Sequence, residues 1–383
     1  MEEALIREEK MVQATEIRSP GPARILLFSQ RNIYKPDVWR AGSREFEAII
    51  QEVDEVDVLA PGRGRWFEQR RNYAQRVWKY SHFILNPGIQ RTRLNKYYDL
   101  MFVICEGPLE VLHVNAIKGW KDYCKTSICL LTEFYQKNIP IYKSSLEVLA
   151  KFDHVLFTTV GIDAFRARLP GSVAYIPPGV DSVRFCPYPA APKRSIDVLS
   201  IGRRSEETHR ALLKMAHNNE IFYVYDTIKS LVPIDIEDHR FLLANNAKRS
   251  QYFIVNPGKI DSPEETGGQN EFGPRFCEGA SAGAIMIGER PKNKEFDRVF
   301  HWPDAVINVP FGAEDIGEVI RDLNKDPDRQ TTIRRNNITQ SLLSFDWAYR
   351  WESVLRLSGL QPKPKLLERK QLLESLAKQA AKV

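Results

Sequence analysis

The fold of this chain is decided by residues 270–287, which read NEFGPRFCEGASAGAIMI. Gly273-Pro274 forms a loop that a regular helix cannot contain, and residues 275–282 are small or well tolerated in a helix. Residues 284–287 form a short apolar run of the kind that buried parallel strands show. A loop that runs into a helix N-terminus presents unpaired N–H groups and the positive end of the helix dipole. This stretch therefore predicts a binding site for an anion such as a diphosphate.

The acidic residue of this predicted helix suggests a second contact. Glu278 lies about one turn into the helix. Its carboxylate only accepts hydrogen bonds, which suits the paired hydroxyls of a diol.

Length and composition limit the class of protein. A chain of 383 residues is too long for one ordinary core, so we expect two domains. Hydrophobic residues make up 43% of the chain and charged residues 27%, which is typical of a soluble globular protein. The formal net charge of +6 is compatible with anionic substrates or an anionic membrane surface, but it requires neither.

Cysteine usage and hydropathy bear on the compartment. The 5 cysteines are odd in number and lack the spacing of zinc ligands, which predicts buried free thiols in a reducing compartment. The first ten residues are too charged for a signal peptide, and no apolar run approaches the ~18 residues of a spanning helix. We therefore expect a cytoplasmic protein, with a membrane-peripheral one as the alternative.

Two predicted buried strands, residues 100–105 and 127–132, each run into a carboxylate. Glu106 follows the first strand and Glu133 follows the second. The carboxyl ends of parallel strands form the edge at which open α/β sheets bind ligands. Both residues are therefore candidates for catalysis or ligand binding, while capping of the following helix is the alternative.

A basic and aromatic segment lies between Arg63 and Phe83. Its functional interpretation is an interfacial helix, or a surface that meets anionic groups. An amphipathic helix with a solvated basic face is the alternative, and spacing alone does not separate the two. The residues that define the segment are Arg63, Arg65, Trp66, Phe67, Arg70, Arg71, Tyr73, Arg76, Trp78, Lys79 and Tyr80.

Two further motifs occur at predicted strand ends. Residues 173–185 read VAYIPPGVDSVRF, in which two prolines and a glycine end a strand and set a rigid turn. Gly202-Arg203-Arg204 closes the first strand of the second half of the chain. Arginine forks bind phosphate through two hydrogen bonds, so Arg203 and Arg204 are candidates for holding a diphosphate.

Together with residues 270–287, these motifs resemble retaining nucleotide-sugar glycosyltransferases of the GT-B fold, of the group 1 type. The resemblance covers most of residues 173–357, and the N-terminal half matches in architecture alone. It implies an α/β protein with two Rossmann-like domains, an interdomain donor/acceptor cleft and a C-terminal helix that crosses back. The expected boundaries are an N-terminal tail (1–23), an N-terminal acceptor domain (24–178), a C-terminal donor domain (179–344), a crossover helix (345–361) and a charged amphipathic tail (362–383).

The resemblance also implies roles for individual residues. It assigns Glu278 to the ribose hydroxyls and the backbone N–H groups near Gly273 to the diphosphate or the sugar. Arg275 would add a third cation to Arg203 and Arg204. Two other residues are candidates for contacting the donor: Asn270, which falls where the family has its first Glu, and Glu271, one place later.

The implied activity is transfer of a sugar from a nucleotide-diphosphate sugar to a hydroxyl acceptor, without a further cofactor. No Asp-x-Asp follows an apolar strand and residues 235–238 read as a loop, so we expect transfer without a metal. Retention of the anomeric configuration is implied by the resemblance only. A non-catalytic nucleotide-sugar-binding or scaffold protein is the alternative, because Asn270 replaces a Glu of the family pattern.

Other classes and partners are disfavoured or open. A Rossmann dehydrogenase is disfavoured because no Gly-x-Gly-x-x-Gly follows Phe28 or Ile201. No recognised nucleic-acid module occurs, so nucleic acid is not an expected partner. A peripheral membrane contact through residues 63–83 is expected as a possible interaction. In the tail, Leu366, Leu373, Leu376 and Ala380 share a helical face that would bind a partner or a membrane, with a solvated tail as the alternative.

Overall fold

The computed structural model describes residues 23–35, 37–81, 83, 85–227, 233 and 235–382. The chain divides into two compact units. Unit 1 comprises the described residues within Met1–Pro36, Ile50–Ile176 and Glu352–Lys363, and unit 2 those within Asp37–Ile49, Pro177–Trp351 and Pro364–Val383. Residues 1–22 of the predicted N-terminal tail lie outside the described residues.

Unit 1 is built on parallel strands. The strands are β1 (Ile25–Phe28), β2 (Val56–Leu59), β3 (Thr92–Arg93), β4 (Tyr98–Cys105), β5 (Ile117–Lys118), β6 (Cys124–Leu131), β7 (His154–Phe157) and β8 (Ser172–Tyr175). In the described part of the unit, β3 pairs with β5, and the other six form one parallel sheet in the order β2-β1-β4-β6-β7-β8. The central strands are nearly continuous apolar runs because helices and loops cover both faces of a parallel sheet.

Four helices and several 3₁₀ segments accompany these strands. The helices are α1 (Ala41–Val53), α2 (Phe67–Ser81), α3 (Lys143–Leu149) and α4 (Asp163–Arg166), and the 3₁₀ segments are Val38–Arg40, Pro108–Ala116, Trp120–Tyr123 and Gln136–Asn138. The segment Val38–Arg40 and residues 41–49 of α1 are grouped with unit 2. The basic and aromatic segment of the sequence therefore forms mainly α2.

Unit 2 repeats this design with a second parallel sheet. Its strands are β9 (Ile196–Ser200), β10 (Tyr223–Tyr225), β11 (Ser250–Ile254), β12 (Ile285–Gly288) and β13 (Ile307–Asn308). They pair in the order β10-β9-β11-β12-β13. The helices are α5 (Ser182–Phe185), α6 (Glu206–His217), α7 (Ile236–Lys248), α8 (Pro263–Thr266), α9 (Pro274–Ser281), α10 (Lys294–Val299), α11 (Ile316–Leu323), α12 (Pro327–Ser344), α13 (Trp347–Leu357) and α14 (Pro364–Ala380). Residues 352–357 of α13 are grouped with unit 1.

The strands predicted from apolar runs are confirmed to within a few residues. One local prediction is wrong, because residues 235–238 are not a loop: the Asp235 carboxylate accepts hydrogen bonds from the N–H groups of Glu237 and Asp238 and caps α7. No helix in the described part of the chain is long and apolar enough to cross a membrane. All five cysteines lie in that part and are buried free thiols.

Helix α14 is part of the core of unit 2. The apolar face that the sequence offered to a partner or a membrane is buried, with Leu366 and Leu373 fully enclosed. On the same helix, the Arg369 guanidinium donates to the carboxylates of Asp346, at 2.8 and 2.9 Å, and of Asp181, at 2.7 Å. Burial and charge pairing therefore hold this helix in unit 2, and its apolar face is not available to a partner.

The turn after the Pro-Pro pair requires a glycine for a steric reason. A Cβ atom on Gly179 would lie 2.5 Å from Cε3 of the Trp347 ring, which is too close for any real contact. The ring cannot move freely, because it stacks on Phe46 with centroids 4.6 Å apart. Close approach of the backbone to this indole therefore fixes the residue at position 179.

We expect Gly179→Ala to lower the free energy of unfolding by about 1–3 kcal/mol, since a rigid ring must shift to admit the methyl group. Urea denaturation measures this. Gly312→Ala is the matched control in the same unit, because the nearest atom to its added Cβ is 3.7 Å away. Equal stability of the two variants would contradict the packing described for Trp347.

Candidate functional site

The loops that follow β9 and β10 in unit 2 are tied together by Asp226. The Gly202 N–H donates to the Asp226 carboxylate at 2.9 Å, and the Arg204 guanidinium donates to the same carboxylate at 2.8 Å. Gly202 has a φ of +92°, a conformation that favours glycine. A Cβ on Gly202 would lie 3.9 Å from Nε of Arg275, so the loop after β9 reaches the first turn of α9. The carboxyl edge of this sheet thus carries the residues that the sequence singled out.

Three arginines, Arg203, Arg204 and Arg275, gather at this edge, and we call them the arginine cluster. Arg203 pairs with Asp261 and has 44% of its side chain exposed. Arg204 lies over the Tyr225 ring with its guanidinium carbon 5.1 Å from the centroid. The first two arginines follow β9 directly and the third belongs to α9, so two different elements supply the cations.

Helix α9 begins beside the arginine cluster. Gly273 is its N-cap, Pro274 is its first residue, and among the described residues no side chain caps its N–H groups. The backbone of Gly273 is extended (φ −93°), so no strain requires glycine here. An uncapped helix N-terminus next to arginines favours an anion, as the sequence predicted for this stretch.

Glu278 is buried, with 1% of its surface exposed. Its two carboxylate oxygens accept hydrogen bonds at 2.5 Å from the guanidinium groups of Arg240 and Arg275. Burial raises the pKa of Glu278, but the charges and hydrogen bonds of the two arginines outweigh it and lower the pKa to about 2. Both oxygens of Glu278 are thus bonded to arginines, and its contact with a ribose stays a prediction.

Sequence reasoning did not identify Arg240, the residue on α7 that joins two buried carboxylates. Its guanidinium donates to Glu278 through one nitrogen and to Glu45 of α1 through Nε, at 2.9 Å. Glu45 also accepts from the Asp181 N–H at 2.7 Å and from the Trp347 indole at 3.0 Å. Glu45, Arg240, Glu278 and Arg275 form a charge chain within unit 2. No local signal reveals it, because Glu45 and Arg240 are 195 positions apart.

His239 is a second residue that the sequence did not reveal. It precedes Arg240 on α7, and its Nδ1 is buried without a hydrogen-bond partner among the described residues. Burial lowers the pKa of His239, and the charges of Arg275 and Arg240 lower it further. The imidazole is therefore neutral at pH 7 and adds a polar group, but no charge, beside the arginine cluster.

Asn270 and Glu271 lie in the loop before α9 and organise it. The Asn270 side-chain oxygen accepts from the Lys292 N–H at 2.9 Å, and its carbonyl accepts from the Asn293 side chain at 2.6 Å. Glu271 is 6% exposed, and its backbone carbonyl accepts from the Gly258 N–H at 2.8 Å. Both residues tie this loop to its neighbours, and their contact with a donor sugar stays a prediction.

In unit 1 the structure brings Glu106 and Glu133 to one sheet edge. Cys105 and Leu131 are paired in register on β4 and β6, and the two carboxylates follow these residues. The Thr132 hydroxyl donates to the Glu106 carboxylate, and the Tyr135 hydroxyl donates to the exposed Glu133 at 3.0 Å. The edge thus carries two carboxylates on adjacent strands, each already bonded to a neighbouring hydroxyl.

The described residues form no cluster of metal-ligating side chains. There, no group of three or more His, Cys, Asp or Glu side chains is placed to hold a metal ion. The positive charge at the edge of unit 2 comes from the arginine cluster.

Part of the chain matches a known family. Residues 239–356 match the model of the glycosyl transferase-like family. This segment contains Arg240, Arg275 and Glu278. No match to a curated protein sequence was found.

Several solved structures have a similar fold. An α-glucosyltransferase in complex with UDP-glucose and DNA containing an abasic site matches with a TM-score of 0.50 and 9% identity, over 88% of this chain and 100% of that one. HepE of Anabaena, in complex with UDP-glucose, matches with a TM-score of 0.49 and 12% identity, over 88% of this chain and 100% of that one. TarM matches with a TM-score of 0.43 and 11% identity, over 68% of this chain but only 56% of TarM.

The likeness to the α-glucosyltransferase shows the fold, which is GT-B, and confirms the predicted fold class. Together with the family match, it confirms the resemblance to glycosyltransferases of this fold.

We expect Glu278→Gln to remove part of the acid sensitivity of the fold. The folded pKa of about 2 lies below the ordinary value of 4.5. The ionised group therefore stabilises the protein fully above about pH 5, and this stability is lost as the pH falls toward 2. The difference in unfolding free energy between wild type and variant should shrink by roughly 2 kcal/mol between pH 6 and pH 3.

Urea denaturation at both pH values measures this difference. Glu45 titrates with the opposite sign, since burial raises its pKa, but it is present in both proteins. Glu318→Gln, at an exposed position of α11, controls for the exchange itself. A difference for Glu278→Gln that is the same at pH 6 and pH 3 would contradict the charge pairing of this carboxylate.

Proposed function

We propose that this chain, glycosyltransferase-like by its family match over residues 239–356 and GT-B by its fold, transfers a sugar from a nucleotide-diphosphate sugar to a hydroxyl acceptor. The observation that carries the proposal is the convergence of the arginine cluster and the uncapped N-terminus of α9 at one sheet edge. The α-glucosyltransferase of the same fold holds UDP-glucose, which supports a nucleotide sugar as the donor.

The chemistry at this edge follows from the charge that develops on the departing diphosphate. Transfer breaks the bond between the anomeric carbon and a phosphate oxygen, so positive groups placed at that oxygen lower the barrier. Arg203 and Arg204 offer forked donors, and the α9 N–H groups add a partial positive charge. Arg275 has 29% of its side chain exposed and pairs with Glu278, so it can exchange that carboxylate for a phosphate.

The same proposal includes transfer without a metal and with retention of configuration. The arginine cluster supplies the positive charge that a metal ion gives in other phosphate chemistry. Retention rests on the resemblance of residues 173–185 and 270–287 to group 1 glycosyltransferases.

In unit 1, Glu106 and Glu133 are proposed to bind or activate the acceptor hydroxyl, because both carboxylates lie at the carboxyl edge of the sheet. The α-glucosyltransferase is bound to DNA, which keeps nucleic acid among the candidate acceptors.

A non-catalytic nucleotide-sugar-binding protein is the second candidate. It is favoured by Asn270, which replaces the first Glu of the family pattern. Asn270 is hydrogen-bonded to Lys292 and Asn293. Turnover separates the two functions. A panel of UDP, GDP, ADP and TDP sugars is tested for binding and for hydrolysis or transfer to hydroxyl acceptors. Binding with no turnover on any acceptor would support the second candidate.

We expect Arg203→Ala to weaken binding of the preferred nucleoside diphosphate at least tenfold, because one forked donor to the diphosphate is lost. Isothermal titration calorimetry measures the Kd. Arg298→Ala is the control, since this arginine of α10 is 63% exposed and pairs only with Glu295 among the described contacts. An unchanged Kd for Arg203→Ala, or no binding of any nucleotide to the wild type, would overturn the assignment of this edge.

A peripheral membrane contact through residues 63–83 is also part of the proposal. Large exposed aromatic side chains occur together with exposed arginines in this segment, the combination that membrane interfaces favour. Tyr73 and Tyr80 are seven positions apart on α2 and 64% and 82% exposed, so they share one outward face. The exposed set comprises Arg65, Trp66, Arg70, Tyr73, Arg76, Tyr80 and Phe83.

We expect the double variant Tyr73→Ser/Tyr80→Ser to lose most of the binding to vesicles that contain anionic lipid, because it removes two aromatic anchors. Co-sedimentation with phosphatidylglycerol vesicles measures the bound fraction. Phe222→Ser/Leu343→Ser, at exposed positions of unit 2, is the matched control. Equal sedimentation of both double variants and the wild type would contradict the contact through α2.

A further inference from the structure

Unit 1 contains a cavity of about 150 Å³ between α2 and the 3₁₀ segment Pro108–Ala116. Ala74 and Trp78 line it from α2, and Leu109 and Leu112 line it from the 3₁₀ segment. Leu85 and Pro87 complete an apolar wall. A cavity of this size holds one benzene-sized ring.

The cavity lies against the carboxyl edge of the unit 1 sheet. His113 lines it, and His113 Nδ1 lies 2.7 Å from the side-chain oxygen of Gln30. Gln30 follows β1, and its amide nitrogen lies 3.3 Å from the carbonyl of Ile104 at the end of β4. Ligands of open parallel sheets bind at this edge. The cavity is thus placed where an acceptor of this fold would be bound.

The hydrogen bonds of Gln30 show that Nδ1 of His113 carries a hydrogen. Because the amide nitrogen of Gln30 donates to the Ile104 carbonyl, its oxygen must be the group that faces His113. An amide oxygen only accepts, so His113 Nδ1 carries the hydrogen. In the neutral imidazole Nε2 is then the acceptor nitrogen, which suits a hydroxyl donor.

The lining residues of α2 form a face that is separate from its exposed aromatic face. Arg71, Ala74 and Trp78 are spaced i, i+3 and i+7, whereas the exposed Tyr73 and Tyr80 point to the other side of the helix. Arg71 pairs with Glu68 through NH2 at 2.7 Å. Its Nε is buried, and among the described residues nothing accepts a hydrogen bond from it. Arg71 thus adds a positive charge to the lining of the cavity.

We propose that this cavity is the acceptor site and that the acceptor is a phenol of one ring; this rests on the glycosyltransferase function proposed above. The volume fits one ring, the Trp78 and Tyr34 side chains offer aromatic contacts, and the Arg71 and His113 side chains are polar groups in the lining. A sugar acceptor has a hydroxyl on nearly every carbon, which hydrocarbon walls leave unpaired. A lipid chain exceeds the volume.

The implied transfer forms one bond and breaks one bond. The phenolic oxygen bonds to the anomeric carbon of the sugar, and the bond from that carbon to the diphosphate breaks. The phenolic proton leaves with the nucleoside diphosphate. The products are an aryl glycoside and a nucleoside diphosphate, and no oxidant or reductant is required.

Ala74→Leu tests the proposal by filling the cavity from α2. Asn72→Leu, at an exposed position of the same helix, is the matched control. Titration calorimetry with phenol, methyl glucoside and decanol as probes is carried out on the full chain without nucleotide. We expect phenol to bind the wild type and Asn72→Leu equally, and Ala74→Leu at least tenfold more weakly. Leu112→Phe fills the cavity from the opposite wall and should reproduce the loss if Ala74→Leu does not fold.

Phenol binding that survives in the folded cavity-filling variants would overturn the proposal, as would tighter binding of methyl glucoside or decanol than of phenol. Nucleotide binding is measured separately on the same variants and should not change. A protein that binds phenol in the cavity but no nucleotide contradicts the proposed function. A protein that binds nucleotide but no phenol contradicts this inference alone.

Discussion

The buried guanidinium of Arg240, held between the carboxylates of Glu45 and Glu278, is the interaction on which unit 2 depends. All three residues are at most 4% exposed. A charge at such depth is tolerated only when it is paired and hydrogen-bonded, and removing one partner of a buried pair costs about 3–5 kcal/mol. Three helices, α1, α7 and α9, contribute one residue each. The ion pairs therefore fix the position of α9, whose N-terminus forms the candidate anion site.

This charge chain ends at Arg275, which contacts both the interior of unit 2 and the edge of its sheet. Arg275 is bonded to Glu278 inside the unit and lies against the Gly202 loop at the sheet edge. Arg275 belongs to the arginine cluster that we propose for the diphosphate, and its guanidinium links this cluster to the buried charges. Gly279 packs just as tightly, because a Cβ there would lie 2.8 Å from the Phe253 ring, so α9 rests directly on the sheet. Packing and charge together place the candidate site.

Much of the fold was predictable from local patterns, and much of the site was not. Apolar runs such as residues 100–105 and 284–287 predicted the strands, because parallel strands are buried on both faces. Gly273-Pro274 predicted the start of α9. By contrast, Arg240 pairs with Glu45 across 195 positions, and the burial of Glu278 between two arginines depends on that distant pairing. The α14 face looked free because its helical pattern does not show what it packs against, or that Arg369 pairs with Asp346 and Asp181.

Hydrogen–deuterium exchange of the full chain with and without UDP-glucose tests directly whether the edge of unit 2 binds the diphosphate. We expect slower exchange of the amides in residues 202–206 and 273–278, where the loop after β9 and the first turn of α9 form the proposed diphosphate site. Slower exchange confined to unit 1, or to elements of unit 2 that lie away from these two segments, would contradict this site.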